Sequence, residues 1–504
     1  MSFISAGFFM AMALTACLYY LIPKKYQWEL LLFVSFGFYA TYGIRYMGYI
    51  LFTIITSYCI TRLMAAQKEK LMRRRWLIFG LVSNFGILVF LKYVNFTILN
   101  LTSLFSVFHQ AFPLGKLSIV MPLGISFYTF QTMSYVIDVY QKKYEPETNI
   151  FRLALFTAYL PQLLQGPIGR YDRLAPQLFE PHDFNLKNIE YGAQRIAWGL
   201  AKKLILADRA YVFSKAVFAD LNTYSGMYVI VALLTFSIYE YCDFSGGIDI
   251  VIGTAEIFGI RMDENFRQPF FSKSIGEFWR RWHITLGTWM KDYIFYPFSL
   301  SKQMNRFGKW SKKHLGNTVG KAMPICLADL LIFFVVGIWH GAAWKYIAYG
   351  MYNGIIIAVS SLLEPLYAKG FEKTKIHKES KAWTVVQIIR TFILVNIGWY
   401  FDMAVSFSAA LVMMKETFTK MSMSQFTGTA FLELGMGRRD FLIVLAGCII
   451  IFIVSLLKER GVAVREAIAA KPLIVRWAIW YAFIVIIFIF AYTGDGSAFI
   501  YANF

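Results

Sequence analysis

Apolar stretches long enough to cross a bilayer recur from one end of the chain to the other, and this pattern limits the possible folds most. Each has roughly 17–23 residues, the length of helix that crosses a hydrocarbon core about 30 Å thick. The candidate spans are residues 7–22, 28–44, 46–61, 76–92, 117–139, 225–242, 323–344, 346–363, 382–400, 440–457 and 473–492, with 95–111 and 150–168 ambiguous. We therefore predict an all-α integral membrane protein, a single polytopic domain with about 11 spans.

The formal net charge is +20, and the basic residues lie between the apolar stretches. Four basic clusters predict cytoplasmic loops, because loops that stay inside carry an excess of lysine and arginine. The clusters are residues 62–75, 302–321, 369–381 and 458–471. Such loops face the headgroups of a lipid bilayer, so no nucleic-acid partner is expected. Residues 7–22 follow no charged segment and precede Lys24 and Lys25, which predicts an uncleaved first span with the N-terminus outside.

Several catalytic signatures are missing from the sequence. The five cysteines are scattered without a CxxC pair, and there is no HExxH segment, so no metal site is predicted. Residues 316–321 are one position short of a nucleotide-binding P-loop, and there is no GxSxG turn. Such a chain cannot activate a carboxylic acid by itself. An acyl donor must therefore arrive activated from the cytosol, and a thioester suffices because a thiolate is a good leaving group.

His340 interrupts the far end of an apolar span, residues 323–344. This span and residues 346–363 predict a hairpin whose tip, near Lys345, faces outside, and His340 lies about 7 Å from that tip along a helix. An ionisable side chain inside a span is by default a functional-site hypothesis. A neutral imidazole can accept a proton from a hydroxyl, which suits a general base. A core histidine with satisfied hydrogen bonds is the alternative that remains open.

His283 is a second histidine in aromatic surroundings. Residues at three- and four-residue steps around it predict an aromatic stripe on one helical face. They are Trp279, Trp282, His283, Leu286, Trp289 and Tyr293. Arg280 and Arg281 fall mainly on other faces, where they could meet the phosphates of a donor at the cytoplasmic mouth. An interfacial helix with its arginines on lipid phosphates explains the stripe equally well, so both interpretations stay open.

Three further segments carry polar residues among apolar ones. Residues 160–170 contain two prolines and two glycines, and we predict a re-entrant or cavity-lining segment because broken backbone is not tolerated against lipid. Asp243 and Asp249 lie beside apolar runs and must be solvated, paired or functional. Residues 183–222 interleave basic and apolar positions, which predicts an amphipathic helix near the inner headgroups.

Several of these segments resemble the membrane-bound O-acyltransferase family. They are Phe278-Trp-Arg-Arg-Trp-His283, Asp292-Tyr293, Gly337-Ile-Trp-His340-Gly341, Gln165-Gly-Pro-Ile-Gly-Arg170, Tyr241-Cys-Asp-Phe-Ser-Gly246 and the tail Phe499-Ile-Tyr-Ala-Asn-Phe504. The similarity runs over most of the chain, and the segments around the two histidines are specific. The chain is most similar to the bacterial branch of alginate O-acetylation and teichoic acid D-alanyl transfer proteins. Cys242 and Gly247 depart from the aromatic residues expected there.

The resemblance implies a multi-span helical ring with re-entrant segments, cytoplasmic and extracellular funnels, and a catalytic core near residues 240–365. It implies that His340 is the catalytic histidine and that His283 supports it. The expected substrate or donor passage includes Trp339, Trp282, Arg280, Arg281, Asp243, Asp292 and Gln165. Acetyl-CoA or a phosphopantetheinyl carrier protein is the expected donor substrate, and no tightly bound cofactor is expected.

From this resemblance we expect an enzyme of the cell membrane that acetylates hydroxyl groups of a cell-surface polysaccharide. D-alanyl transfer from a carrier protein to teichoic acid is the alternative, although Ser245, Gly246 and Asp249 resemble the acetylation branch more. An extracytoplasmic acyltransferase or a small acyl carrier protein is the expected partner. A transporter of polysaccharide precursors would also explain buried polar groups, but it predicts inverted repeats that the sequence does not show.

Overall fold

The computed structural model is mainly helical, with irregular connections, over the residues that it describes, which are 4–374, 377–422, 425, 429–494 and 499. The α-helices are α1 (Ala6–Leu21), α2 (Gln27–Ala40), α3 (Met47–Ala66), α4 (Lys70–Val107), α5 (Ile125–Tyr140), α6 (Ile150–Ala158), α7 (Gln162–Gln165), α8 (Tyr171–Phe179), α9 (Leu186–Leu200), α10 (Asp208–Ala219), α11 (Met227–Ile257), α12 (Ile275–Arg281), α13 (Ile284–Met290), α14 (Tyr296–Ser299), α15 (Lys302–His340), α16 (Trp344–Leu362), α17 (Glu364–Thr374), α18 (Lys381–Met403), α19 (Phe407–Thr419), α20 (Arg438–Glu459), α21 (Val464–Ala469) and α22 (Leu473–Phe490). Two π-helical segments lie at Ala201–Ala207 and Lys291–Phe295. The tail positions 500–504, which carried part of the resemblance, lie outside the described residues.

Seven of the described helices are long and apolar enough to cross a membrane, and an eighth span follows if the bent pair α16 and α17 is counted. The predicted all-α, multi-span membrane protein is thus confirmed. The sequence count of about 11 also included shorter apolar segments such as α1, which has 16 residues. The candidate segments 76–92 and 95–111 are joined in one helix of 38 residues, α4, which ends at Val107.

Serine caps mark where several of the long helices begin. The side chains of Ser301, Ser380 and Ser406 each accept a backbone N–H from the first turn of α15, α18 and α19. A hydroxyl at this position satisfies an N–H group that the helix itself leaves unbonded. Hydropathy alone locates these helices only approximately. The serine caps fix the residue at which each of them begins.

The described chain divides into two units. The first comprises Met1–Lys203 and Asp243–Asp263, together with Phe499, and the second comprises Leu204–Cys242 and Glu264–Ser497. In the first unit, α3 packs against α4 and α5, and a cluster that includes Tyr19, Met133, Leu153, Phe156 and Phe258 forms a buried core.

Glycines let α9 approach the C-terminal half of α11 within the first unit. A Cβ atom added at Gly192 would lie 2.5 Å from the carbonyl oxygen of Gly253, and one added at Gly199 would lie 2.5 Å from that of Gly246. No real Cβ tolerates such distances, so the two backbones touch at two points separated by two helical turns. This contact places the end of α9 beside the carboxylates of α11.

Buried ion pairs follow directly from this close approach. Lys203 Nζ lies 2.6 Å from Asp243 Oδ1, and both side chains are completely buried. Lys202 Nζ lies 2.6 Å from Asp249 Oδ2, and Arg195 Nε lies 3.0 Å from Asp249 Oδ1. Lys202 and Lys203 therefore face the protein interior and not lipid headgroups, although the interfacial location of residues 183–222 as a whole stays a prediction.

The predicted hairpin forms in the second unit from α15 and α16. A Cβ atom at Gly350 would lie 2.1 Å from the Phe333 carbonyl oxygen, and one at Gly337 would lie 2.5 Å from the Tyr346 carbonyl oxygen. The helices therefore pack closely through small residues; Gly350 and Gly354 of α16 form a GxxxG pattern, which allows such an approach. Residues 302–321, predicted as a loop, are instead helical and bend at Gly316, whose φ is 78°. The loop prediction was wrong because polarity marks solvent exposure and does not by itself exclude a helix.

Candidate active site

His340 is the last residue of α15, and 8% of its surface is exposed. Its ring lies nearly perpendicular to Trp339 and to Tyr349, with centroid distances of 5.1 Å and 5.4 Å. Tyr346 stacks on it at 6.3 Å. A Cβ atom at Gly341 would lie 2.4 Å from the Tyr346 ring. The space that Gly341 leaves is thus occupied by a tyrosine of α16, which holds the imidazole from that side.

A backbone break separates α12 from α13 at His283, whose φ is 47° and ψ is 52°. This left-handed conformation is uncommon outside glycine and costs about 1–3 kcal/mol, so the surroundings must enforce it. The N–H of Ile284 donates to the Asn265 carbonyl oxygen at 3.0 Å, and the N–H of Arg267 donates to the Arg281 carbonyl oxygen at 2.9 Å. The prediction of one continuous helical face is therefore wrong, because these two bonds replace helical ones.

Asn265 is completely buried, and its side chain meets His283. Asn265 Oδ1 accepts the backbone N–H of Thr285 at 3.0 Å and the Thr285 hydroxyl at 2.9 Å. The same oxygen lies 3.2 Å from His283 Nδ1. The sequence analysis gave Asn265 no role. The only signal was an amide side chain among aromatic residues, which is too common to be specific.

Trp339 contacts both histidines. Its ring centroid lies 5.6 Å from that of His283 and 5.1 Å from that of His340, and both imidazoles meet the indole at steep angles. His283 lies outside the candidate spans. Burial lowers the pKa of its imidazole well below the ordinary value, and a charge on nearby His340 would lower it further. The structure therefore brings the two predicted catalytic histidines together, and burial favours the neutral form of His283.

Trp279 of α12 and Trp282, which directly follows this helix, both pack against other aromatic or polar side chains. Trp282 is 3% exposed, stacks on Phe278 at 5.4 Å and meets Phe266 edge-on at 5.0 Å. Trp279 Nε1 donates to Asn353 Oδ1 of α16 at 3.0 Å. Aromatic packing of this kind fixes the position of α12 relative to α16. A role for Trp282 in a substrate passage stays a prediction.

The two arginines of α12 differ in their surroundings. Arg281 is half-buried and forms ion pairs with Glu277, at 2.8 Å, and with Glu459 of α20. Arg280 is exposed. Asp292 is half-buried in the π-helical segment Lys291–Phe295, a type of distortion that often marks functional sites. Of the two arginines, Arg280 thus has the guanidinium that solvent can reach more freely.

Asp243 and Gln165 belong to the first unit, whereas the other seven predicted site residues belong to the second. Asp243 forms the buried ion pair with Lys203. Gln165 is 1% exposed, and its side chain fills the space beside Gly247, where an added Cβ would lie 2.8 Å from Gln165 Oε1. The glycine at 247 thus makes room for this glutamine. Roles for Asp243 and Gln165 in a passage stay predictions.

Lys345, which the sequence placed near the hairpin tip, makes contacts that the sequence did not indicate. Lys345, at the start of α16, donates from Nζ to the backbone oxygen of Asp402 at 2.7 Å. Its ammonium group also lies 4.5 Å from the centroid of the Tyr346 ring, which stacks on His340. Lys345 thereby ties the hairpin tip to the end of α18.

Comparison with known proteins adds independent information. Residues 147–401 match the profile of the membrane-bound O-acyltransferase family. A probable alginate O-acetylase of Azotobacter vinelandii is 32% identical over 392 residues, which cover 78% of this chain and 72% of that protein.

Two relatives with other names also match. A peptidoglycan O-acetyltransferase of Helicobacter pylori is 29% identical over 422 residues, which cover 78% of this chain and 73% of that protein. A teichoic acid D-alanyltransferase of Bacillus subtilis is 29% identical over 286 residues, which cover 55% of this chain and 67% of that protein. The matched segment contains both histidines and Asn265.

Proposed function

Because the chain belongs to the membrane-bound O-acyltransferase family, we propose that it moves an acetyl group from a cytosolic thioester across the membrane for O-acetylation of a cell-surface polysaccharide. It is a multi-pass membrane O-acyltransferase. The alginate and peptidoglycan relatives, both named for O-acetylation, match 78% of the chain, whereas the D-alanyl transfer relative matches 55%. This difference favours acetyl over D-alanyl transfer to teichoic acid, which is the second candidate.

One observation carries the chemical part of the proposal: two buried imidazoles that share contact with the Trp339 indole. In the proposed reaction His340 removes the proton of the acceptor hydroxyl while its oxygen bonds to the thioester carbonyl carbon. The carbon–sulfur bond then breaks, and the departing thiolate takes up the proton. His283, which contacts the same indole, supports the reacting groups. A neutral imidazole at His340 suits this work because it can accept the proton of the hydroxyl.

The donor, the partners and the orientation belong to the same proposal. The donor is acetyl-CoA or an acylated phosphopantetheinyl carrier protein, and it acts as a substrate. An extracytoplasmic acyltransferase that receives the acetyl group, or a small acyl carrier protein that delivers it, is the partner. The enzyme resides in the cell membrane with its N-terminus outside, which the basic cluster at residues 62–75 supports.

Replacing Arg280 with glutamine is expected to raise KM for a phosphate-bearing donor about 2–5-fold, because an exposed ion pair is worth about 1 kcal/mol at most. Arg280 is exposed, whereas Arg281 is engaged by two glutamates. The measurement is the initial rate of thioester consumption at varied donor concentration. The variant Arg306→Gln, an exposed arginine on α15, is the control that should leave KM unchanged. Equal KM values for wild type and Arg280→Gln would remove Arg280 from the donor site.

The experiment that tests the proposed function offers purified protein two labelled donors, acetyl-CoA and D-alanyl carrier protein, with a polysaccharide acceptor. Consumption of acetyl-CoA and label on acceptor hydroxyls are expected. Consumption of the D-alanyl carrier alone would replace acetyl transfer with the second candidate. If neither thioester is consumed, both candidates are wrong.

A further inference from the structure

The atoms around Asn265 determine which nitrogen of His283 carries a proton. The backbone N–H of Thr285 can only donate, and it lies 3.0 Å from Asn265 Oδ1, so the side-chain atom that faces it must be the oxygen. His283 Nδ1 lies 3.2 Å from that same oxygen. An amide oxygen can only accept a hydrogen bond, so Nδ1 must be the protonated nitrogen.

We propose that Asn265 is a positioning residue that holds neutral His283 as its Nδ1–H tautomer, so that Nε2 presents a lone pair to the reacting groups. The inference rests on the proposed function for its catalytic meaning. It also limits what His283 can do in the reaction. In this tautomer the ring accepts a hydrogen bond or a proton at Nε2, and it cannot donate there to polarise the thioester carbonyl.

The local backbone supports this assignment independently. His283 occupies the left-handed region, and the N–H of the next residue, Ile284, donates to the Asn265 carbonyl oxygen at 3.0 Å. Asn265 therefore holds the main chain through its carbonyl group and the imidazole through its side chain. Replacement of the side chain leaves the backbone contact available, which allows the two roles to be separated.

The direct test is the nitrogen NMR spectrum of the full protein in bilayers, with ¹⁵N-labelled histidine and a His283→Asn variant to assign the signals. In the wild type we expect a protonated Nδ1 and an unprotonated Nε2 at His283. Asn265→Ala should give a mixture of tautomers, and Asn265→Asp, which keeps an acceptor oxygen, should restore the Nδ1–H form. Asn84→Ala, a buried asparagine bonded to Gly80 and Thr56, is the matched control. A wild-type spectrum with the proton on Nε2 of His283 overturns the inference even if neither Asn265 variant folds.

Kinetics provide the second measurement. Asn265→Ala should lower kcat about 10-fold or more with little change in KM for the donor, which is the size expected when one buried hydrogen bond that orients a base is lost. Asn265→Asp should recover most of this loss. Equal losses in Asn265→Ala, Asn265→Asp and Asn84→Ala would show a merely structural effect and reject the assignment. If the wild type consumes no thioester, the proposed function fails while the tautomer measurement still decides this inference.

Discussion

Replacing His340 with alanine is expected to lower the rate of acyl transfer about 10²–10⁴-fold, the usual contribution of a positioned general base. The imidazole ends α15 and is 8% exposed, with tyrosines of α16 on two sides. Because it makes its ring contacts within a hairpin that close glycine packing already holds, its loss should leave the protein inserted and folded. The measurement is the initial rate of thiol release from the labelled donor.

His314 provides the matched control for this prediction. It lies on the same helix, α15, but its ring is exposed and bonds only locally, at 2.8 Å from the carbonyl oxygen of Trp310. His314→Ala should therefore keep the wild-type rate. If His340→Ala elutes as a single species from a sizing column and still transfers acyl groups at the wild-type rate, His340 is not the base.

Replacing Lys203 with methionine is expected to destabilise the protein by about 3–5 kcal/mol, because it leaves a buried carboxylate without its partner. Asp243 and Lys203 are both fully buried and lie 2.6 Å apart. The double variant Lys203→Met/Asp243→Leu removes both charges and should recover most of the stability. Melting temperature in detergent is the measurement.

An exposed ion pair of the same unit serves as the comparison. Lys24 and Asp183 are 54% and 84% exposed, so Lys24→Met should cost no more than about 1 kcal/mol. If Lys203→Met lowers the stability no more than Lys24→Met does, the buried ion pair contributes no more to stability than the exposed one. Acyl transfer by a stable double variant would show that Asp243 acts through folding, whereas its absence would favour the predicted role of Asp243 in a passage.

The fold was predictable from the sequence to the extent that hydropathy determines it. Unbroken apolar runs located the long helices and predicted the hairpin that α15 and α16 form. The helix at residues 302–315 was missed because a polar surface helix has no apolar run to reveal it. The burial of Lys203 was missed for a different reason: its partner Asp243 is 40 positions away, and only the glycine contacts between α9 and α11 bring them together.

The candidate site was predictable where an ionisable side chain interrupts an apolar span. A histidine within an apolar span is costly, and so His340 was identified from its position alone. The role of Asn265 was not predictable, because it depends on the backbone break at His283. Residues 265–267 lie beside residues 281–284 there, in an antiparallel arrangement. No local pattern indicates a left-handed residue other than glycine, so the hydrogen bonds that enforce it were visible only in the structure.

The central claim is that His340 and His283 act together in one site, and a double-variant cycle tests it most directly. The rates of His340→Ala, His283→Ala and the combined variant are measured with the same donor and acceptor. Groups that act as a unit are strongly non-additive, so the combined variant should be no more than a few-fold slower than His340→Ala alone. Losses that simply multiply in the combined variant would contradict the claim, because they would mean that the two imidazoles contribute independently.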